Sequence, residues 1–380
     1  MTIMCVVGAR PNFMKMAPIL RALAAHVPPL PALLVHTGQH YDEGMSEQLF
    51  AGLGLPQPDL NLEVGSGSHA LQTAEVMRRF EPALDMHRPS CVVVVGDVNS
   101  TLACALVAAK KGVPVAHVEA GLRSYDRRMP EEINRVLTDQ IAERLYTTER
   151  SAAANLVREG IAPERIAFVG NVMIDSLRAN LPKARSAAQS LQSHGIDPAL
   201  TTRPGGYGVV TLHRPSNVDS PAALRAILAV LAEVSTRLPL VFAMHPRTRS
   251  NIERFGLAEL IDPERMAVLP PQGYLEMLGL MHCATLVLTD SGGLQEETTA
   301  LGVPCLTLRD NTERPITVEQ GTNTVVGTDR RAILDCLSEI LAGRGKRGCV
   351  PQLWDGHAAQ RIAADLAEWL QPSVRAARAA

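Results

Sequence analysis

Three carboxylates stand where apolar strands end or helices begin: Asp97 after "CVVVV", Glu119 at the end of "VPVAHV", and Glu131 directly behind Pro130. A carboxylate at the dry rim of a sheet has its charged form disfavoured, which raises its pKa toward the value an acid/base group needs. Each has a plainer reading. Asp97 could cap the next helix, a role for which Asn99 and Ser100 compete. Glu131 and Glu132 suit a helix first turn for dipole reasons alone. Their convergence points to proton transfer. Glu119 and Glu131 belong to "HVEAGLRSYDRRMPEEINR", which packs four carboxylates, four arginines and a histidine behind one apolar strand.

An anion site is expected in "DSGGLQEE". Ser291, Gly292 and Gly293 fall between a strand and a helix, where glycines let the backbone approach a phosphate and free N–H groups bind it. A plain turn with Ser291 as N-cap reads equally well. Nearby carboxylates, Glu296 and Glu297, suit a ribose diol, and Arg314 in "NTERP" suits phosphate. The first loop, "GARPNFMK", lacks the G-x-G-x-x-G spacing of a dinucleotide fold and offers Arg10 and Lys15 instead. That argues against NAD held in the usual way, so no cofactor is expected. His213 and His245 lie at strand ends. No compact ligand cluster suggests a metal, and no nucleophile elbow suggests a hydrolase triad.

The elements that must carry these residues alternate. Val/Ile/Leu-rich runs ("TIMCVVG", "PALLVHTG", "CVVVVGD", "PVAHVEA", "RLYTTE", "IAFVGN") are separated by helical periods, and the pattern restarts at "YGVVTLH", "PLVFAMHP", "MAVLPP", "ATLVLTD", "PCLTLRD" and "TNTVVGT". This predicts an α/β fold of two Rossmann-like domains facing a central cleft, with ligands beyond the carboxyl ends of the strands. The expected domains are 1–172, joined by a C-terminal helix at 356–380, and 207–355, with 173–206 as a linker region.

The 380 residues suit two domains, and 46% apolar content fills two cores. A net charge of −2 without like-charge blocks argues against nucleic acid. No apolar run approaches membrane-spanning length, and the N-terminus carries no signal-peptide pattern. Seven scattered cysteines read as reduced thiols in a cytoplasmic protein.

Together, "GARPNFMKMAPI", "TGQH", "GDVNSTLA", "HVEAGLRS", "PEEINR", the GN-x-x-ID pattern at Gly170–Asp175, "LHRPSNVD", "DSGGLQEE" and "RDNTERPI" resemble, in order, the non-hydrolysing UDP-N-acetylglucosamine 2-epimerases. The resemblance covers essentially the whole chain. It implies a GT-B-like architecture, a UDP-sugar substrate and a homodimer. The implied reaction is NAD-independent exchange of UDP-GlcNAc and UDP-ManNAc, by anti elimination of UDP and re-addition to a 2-acetamidoglucal. It also implies acid/base and sugar-site roles for Asp97, Glu119, Glu131 and His213, with Lys15 close to the reacting sugar. UDP contacts would fall at Arg10, Ser291, Gly292, Gly293 and Arg314, with Glu297 on the ribose. Departures from the commonest bacterial pattern fall at Asn12–Met14, at "LHRPSNVD" and at Asp42, and they leave room for another 2-acetamido sugar, such as a 3-acetamido uronic acid. The alternatives are a hydrolysing 2-epimerase, a GT-B glycosyltransferase and a nucleotide-sugar-binding protein without catalysis.

Overall fold

Runs such as "CVVVV" leave no polar face, so their strands must be covered on both sides, and in the computed structural model they are. The structure describes residues 1–38 and 55–371. The chain divides into two compact units, Met1–Ala179 with Gln352–Ala380, and Asn180–Pro351.

The first unit is built on seven parallel strands: β1 (Ile3–Val7), β2 (Ala32–His36), β3 (Leu60–Asn61), β4 (Cys91–Val95), β5 (Val115–Ala120), β6 (Arg144–Thr147) and β7 (Ile166–Phe168). Their order, β3-β2-β1-β4-β5-β6-β7, reverses direction between β1 and β4. The helices are α1 (Arg10–Ala25), α2 (His69–His87), α3 (Asn99–Lys110), α4 (Pro130–Ile141), α5 (Arg150–Arg158) and α6 (Val172–Asn180). A return helix, Ala358–Trp369, packs on α1 and buries Ala359, Ile362, Ala363 and Leu366.

The GN-x-x-ID pattern has a physical task here. Gly170, at φ 90°, passes so close to the Leu353 carbonyl that no Cβ fits between them. Asp175 accepts from the amides of Ala358 (3.2 Å) and Ala359 (2.7 Å), capping the return helix. The next residue, Ser176, donates to the Met14 carbonyl. That carbonyl lacks its usual helical partner because Pro18, four residues on, has no N–H.

The second unit has six parallel strands: β8 (Gly208–Thr211), β9 (Leu240–Ala243), β10 (Met266–Leu269), β11 (Leu286–Thr289), β12 (Cys305–Thr307) and β13 (Asn323–Val325). Their order is β10-β9-β8-β11-β12-β13, with the reversal between β8 and β11. The helices are α7 (Ala187–Gln192), α8 (Pro215–Val218), α9 (Pro221–Ser235), α10 (Pro246–Arg254), α11 (Tyr274–His282), α12 (Gly292–Leu301), α13 (Pro315–Glu319) and α14 (Arg330–Leu341). The stretch expected as a linker carrying some helix holds Ala187–Gln192 as helix. Ala187, Leu191 and Leu200 enter a core cluster with Tyr207, Val209 and Val287, because their apolar side chains find a face of the second sheet to cover.

Candidate functional site

In parallel sheets the place where strand order reverses leaves a crevice, since the flanking loops diverge to opposite faces. The first unit's reversal lies between β1 and β4. Lys15 comes from the helix after β1, Asp97 from the loop after β4, and Glu119 from the end of β5, so three of the expected residues gather at one edge.

Glu119 is 2% exposed, and its Oε2 lies 2.5 Å from Lys15 Nζ, which sits beside Gly96. Its backbone is left-handed, with φ 71°, and the β5–β6 register shifts between Val118 and Ala120. Glu119 is therefore the extra residue of a bulge, a device that re-aims a side chain. A left-handed non-glycine residue costs about 1–2 kcal/mol, so the surroundings must hold it there.

Asp97 receives Arg135 Nη1 at 2.5 Å, and Asn134 Nδ2 donates to its backbone carbonyl at 2.8 Å. Arg135, 2% exposed, also donates to Glu132 at 2.8 Å and 3.1 Å. Glu132 in turn accepts from Ser124 N and Tyr125 N, both at 2.9 Å, and so shapes the loop before α4. The sequence places both carboxylates at the rim of a dry sheet. In the structure each faces a buried cation, Glu119 the Lys15 ammonium and Asp97 the Arg135 guanidinium. Asp97 does not cap α3, whose N-cap is Val98.

Glu131 is half-buried on the first turn of α4, with no ion pair among the described residues. Arg10 opens α1, and its side chain lies outside the described residues, as do Gln39, His40 and Asp42 of "TGQHYD". His36, just before it, is buried against Phe13, and burial lowers its pKa to about 4.

The second unit repeats the arrangement with different chemistry. At the β8–β11 reversal, His213 Nδ1 lies 2.7 Å from Asp290 Oδ1. Asp290, fully buried, also accepts from the amides of His213 and Arg214 and from Asn217 Nδ2. Burial pushes the Asp290 carboxyl up, but His213 and the amides outweigh it and leave the pKa below its ordinary value. The bond to Asp290 makes Nδ1 the donor and leaves Nε2 as the working atom of a partly exposed ring. His245, 6.0 Å away between ring centres, accepts from Arg247 N at its Nδ1. Its pKa is lowered by burial and by the charge of His213.

Beyond β11, Ser291 occupies the N-cap of α12 without a side-chain cap bond, so its hydroxyl does not serve the free amides of that turn. A Cβ on Gly292 would meet Glu313 Oε1 at 2.4 Å, and Gly293 follows half-buried. Glu313 pairs with Arg309 at 2.8 Å; burial raises its pKa, but Arg314, Arg309 and Arg214 together hold it well below the carboxylate range. Arg314 is buried with Nε 3.0 Å from Glu296. Glu297, 2% exposed, lies beside the Tyr274 hydroxyl, whose pKa is raised by burial and by that carboxylate.

Asp290, Arg135 and Asp139 are residues that sequence reasoning did not assign. Their signal is spatial. Asp290 meets His213 because β11 pairs with β8 through Thr289 and Thr211, whose hydroxyls lie 2.6 Å apart.

Residues 24–367 match the family model described as UDP-N-acetylglucosamine 2-epimerase. The UDP-N-acetylglucosamine 2-epimerase of Methanocaldococcus jannaschii is 42% identical over 368 residues, covering 95% of this chain and 98% of that one. The UDP-2,3-diacetamido-2,3-dideoxy-D-glucuronate 2-epimerase of Pseudomonas aeruginosa is 40% identical over 371 residues, covering 97% and 100%. The crystal structure of the M. jannaschii enzyme in complex with UDP-GlcNAc and UDP superposes with a TM-score of 0.86 at 40% identity, covering 97% of this chain and all of that one. The fold is thus the GT-B-like one of two Rossmann-like units. The chain belongs to the UDP-N-acetylglucosamine 2-epimerase family, and its activity is C2 epimerisation of a UDP-sugar, an isomerisation.

Proposed function

We propose that the chain interconverts UDP-GlcNAc and UDP-ManNAc without a nicotinamide cofactor, through elimination and re-addition of UDP. The observation that carries this reading is Glu119, a buried carboxylate aimed by a bulge at Lys15. A carboxylate base takes the C2 proton. The electron pair forms the C1–C2 double bond, and the C1–O bond to UDP breaks on the opposite face. A 2-acetamidoglucal and UDP result. Re-addition of UDP with protonation of the other face of C2 gives the epimer.

Two faces of C2 need two proton carriers, one accepting the proton as a carboxylate and the other delivering one as a carboxylic acid, and Asp97 and Glu119, each beside a cation, supply this pair. Glu131 and His213 serve the sugar, with Asp290 holding His213 in the tautomer that leaves Nε2 available. The departing diphosphate is stabilised by Arg10, Lys15, the Ser291 hydroxyl and the amides of Gly292 and Gly293. Arg314 adds positive charge behind them, and Glu297 binds the ribose. We place the enzyme in the cytoplasm as a homodimer. Ile133 and Leu137, exposed one turn apart on α4, offer an apolar face for a second copy.

The test is proton NMR of UDP-GlcNAc with the enzyme in D2O, without added cofactor. Deuterium enters C2 as the manno epimer accumulates; absence of C2 exchange removes the reading, and free ManNAc in quantity replaces it with the hydrolysing one. The similarity to the P. aeruginosa enzyme supports a second substrate reading, UDP-2,3-diacetamido-2,3-dideoxyglucuronate. The same assay with both sugars decides by their kcat/KM ratio.

A further inference from the structure

The structure assigns to Asp139 a positioning role: a buried carboxylate that grips the chain on both sides of Glu119 and, through His117, the strand end that leads into Asp97. This rests on the acid/base reading of those two residues and adds what holds them.

Asp139 sits on α4, fully buried. Its Oδ1 lies 2.7 Å from His117 Nδ1, two residues before Glu119. Its Oδ2 accepts from Gly121 N at 3.0 Å, two residues after. Arg123 Nη2 completes the set at 2.7 Å from Oδ2 and is itself held by Glu159. Burial raises the Asp139 pKa, but His117 and Arg123 leave it lowered, so the hub is an anion. The other ring nitrogen of His117, Nε2, lies 2.8 Å from the Gly96 carbonyl. The imidazole thus bridges the Asp139 carboxylate and the Gly96 carbonyl, one on each ring nitrogen. One carboxylate thereby fixes residues 117, 121 and 123 and, through the imidazole, Gly96 beside Asp97.

The need for such a grip follows from the bulge. Glu119 is left-handed and out of register, whereas a regular strand alternates side chains between faces. If residues 117 to 121 slid back into register, the Glu119 carboxylate would leave Lys15 for the other face. Asp139 prevents this by holding the chain at both ends of the bulge at once. Its hold on Glu119 acts through geometry, by fixing the residues on either side of it.

The experiment compares Asp139→Asn and His117→Gln with wild type and Glu119→Gln. His117→Gln retains a donor toward Gly96 and loses the link to Asp139. In both positioning variants kcat and C2 deuterium exchange fall about 10²-fold, the order expected for a misplaced catalytic group, while the UDP Kd by calorimetry stays within about twofold. Crystal structures of the variants show Glu119 withdrawn from Lys15. A soluble variant with wild-type kcat overturns the proposal, and so does a loss of UDP affinity in step with kcat, since that marks a general fold defect. If Asp139→Asn does not fold, His117→Gln decides. If wild type itself shows no C2 exchange, the functional reading fails, and the position of Glu119 in the variant crystals still decides this one: an unchanged bulge overturns it.

Discussion

The two strand-order reversals solve one problem, placing polar groups at the end of a dry sheet, by different means. In the first unit the groups are carboxylates held by buried cations from distant segments. Lys15 reaches Glu119 and Arg135 reaches Asp97, with loops and helices between them. In the second unit buried ion pairs, Glu313 with Arg309 and Glu296 with Arg314, flank a strand, a turn with two glycines and a helix with no side-chain cap on its first amides. Buried ion pairs cost desolvation and are unforgiving when one partner is lost, by about 3–5 kcal/mol. The difference suggests a division of labour. The first unit's ion pairs hold the carboxylates that carry protons, and the second unit's flank backbone presented to an anion.

The sharpest break of that contrast is Glu119→Gln. It lowers kcat about 10³-fold with UDP affinity retained, read by C2 exchange and calorimetry. Asp290→Asn tests whether the second unit also contributes to turnover. Without the charge that sets the His213 tautomer, kcat falls about 10²-fold, measured in the same assay. Gly292→Ala tests the anion side alone. The new Cβ must displace Glu313 from Arg309, so UDP affinity weakens about tenfold while kcat at saturation holds. Its readout is calorimetry with UDP.

The smallest effect is the dependence of stability on pH. Asp139, Asp290 and Glu313 all have folded-state pKa values below their ordinary ones. Their contribution is present above the unfolded carboxylate value, about pH 4, and is lost as pH falls through the depressed folded values. Denaturant midpoints measured from pH 7 down to about pH 3 therefore fall, and Asp290→Asn flattens the dependence.

Much of this was legible in sequence, for physical reasons. Apolar β-branched runs such as "CVVVV" and "GVVT" have no other stable home than a covered parallel strand, and the residues behind them fall at strand ends. Leu60–Asn61, with two residues and no pattern, could not be read as β3. The identity of Glu119 as a strand-end carboxylate was legible, but its left-handed bulge was not, because it depends on Asp139 twenty positions on and a helix away. Likewise "PEEINR" was visible as a motif, whereas the use of Asn134 and Arg135 to grip Asp97 needed coordinates.

The docking of residues 358–369 on α1 bears on the order of synthesis. A ribosome delivers α1, α6 and the whole of the second unit before the helix that covers α1 exists. Until then the Asp175 carboxylate has no amides to accept from, and the apolar flank that Ile362 and Leu366 will cover stays open. Contacts this distant in sequence form slowly, and an uncovered flank invites association with other chains. The unit that emerges first is the one completed last.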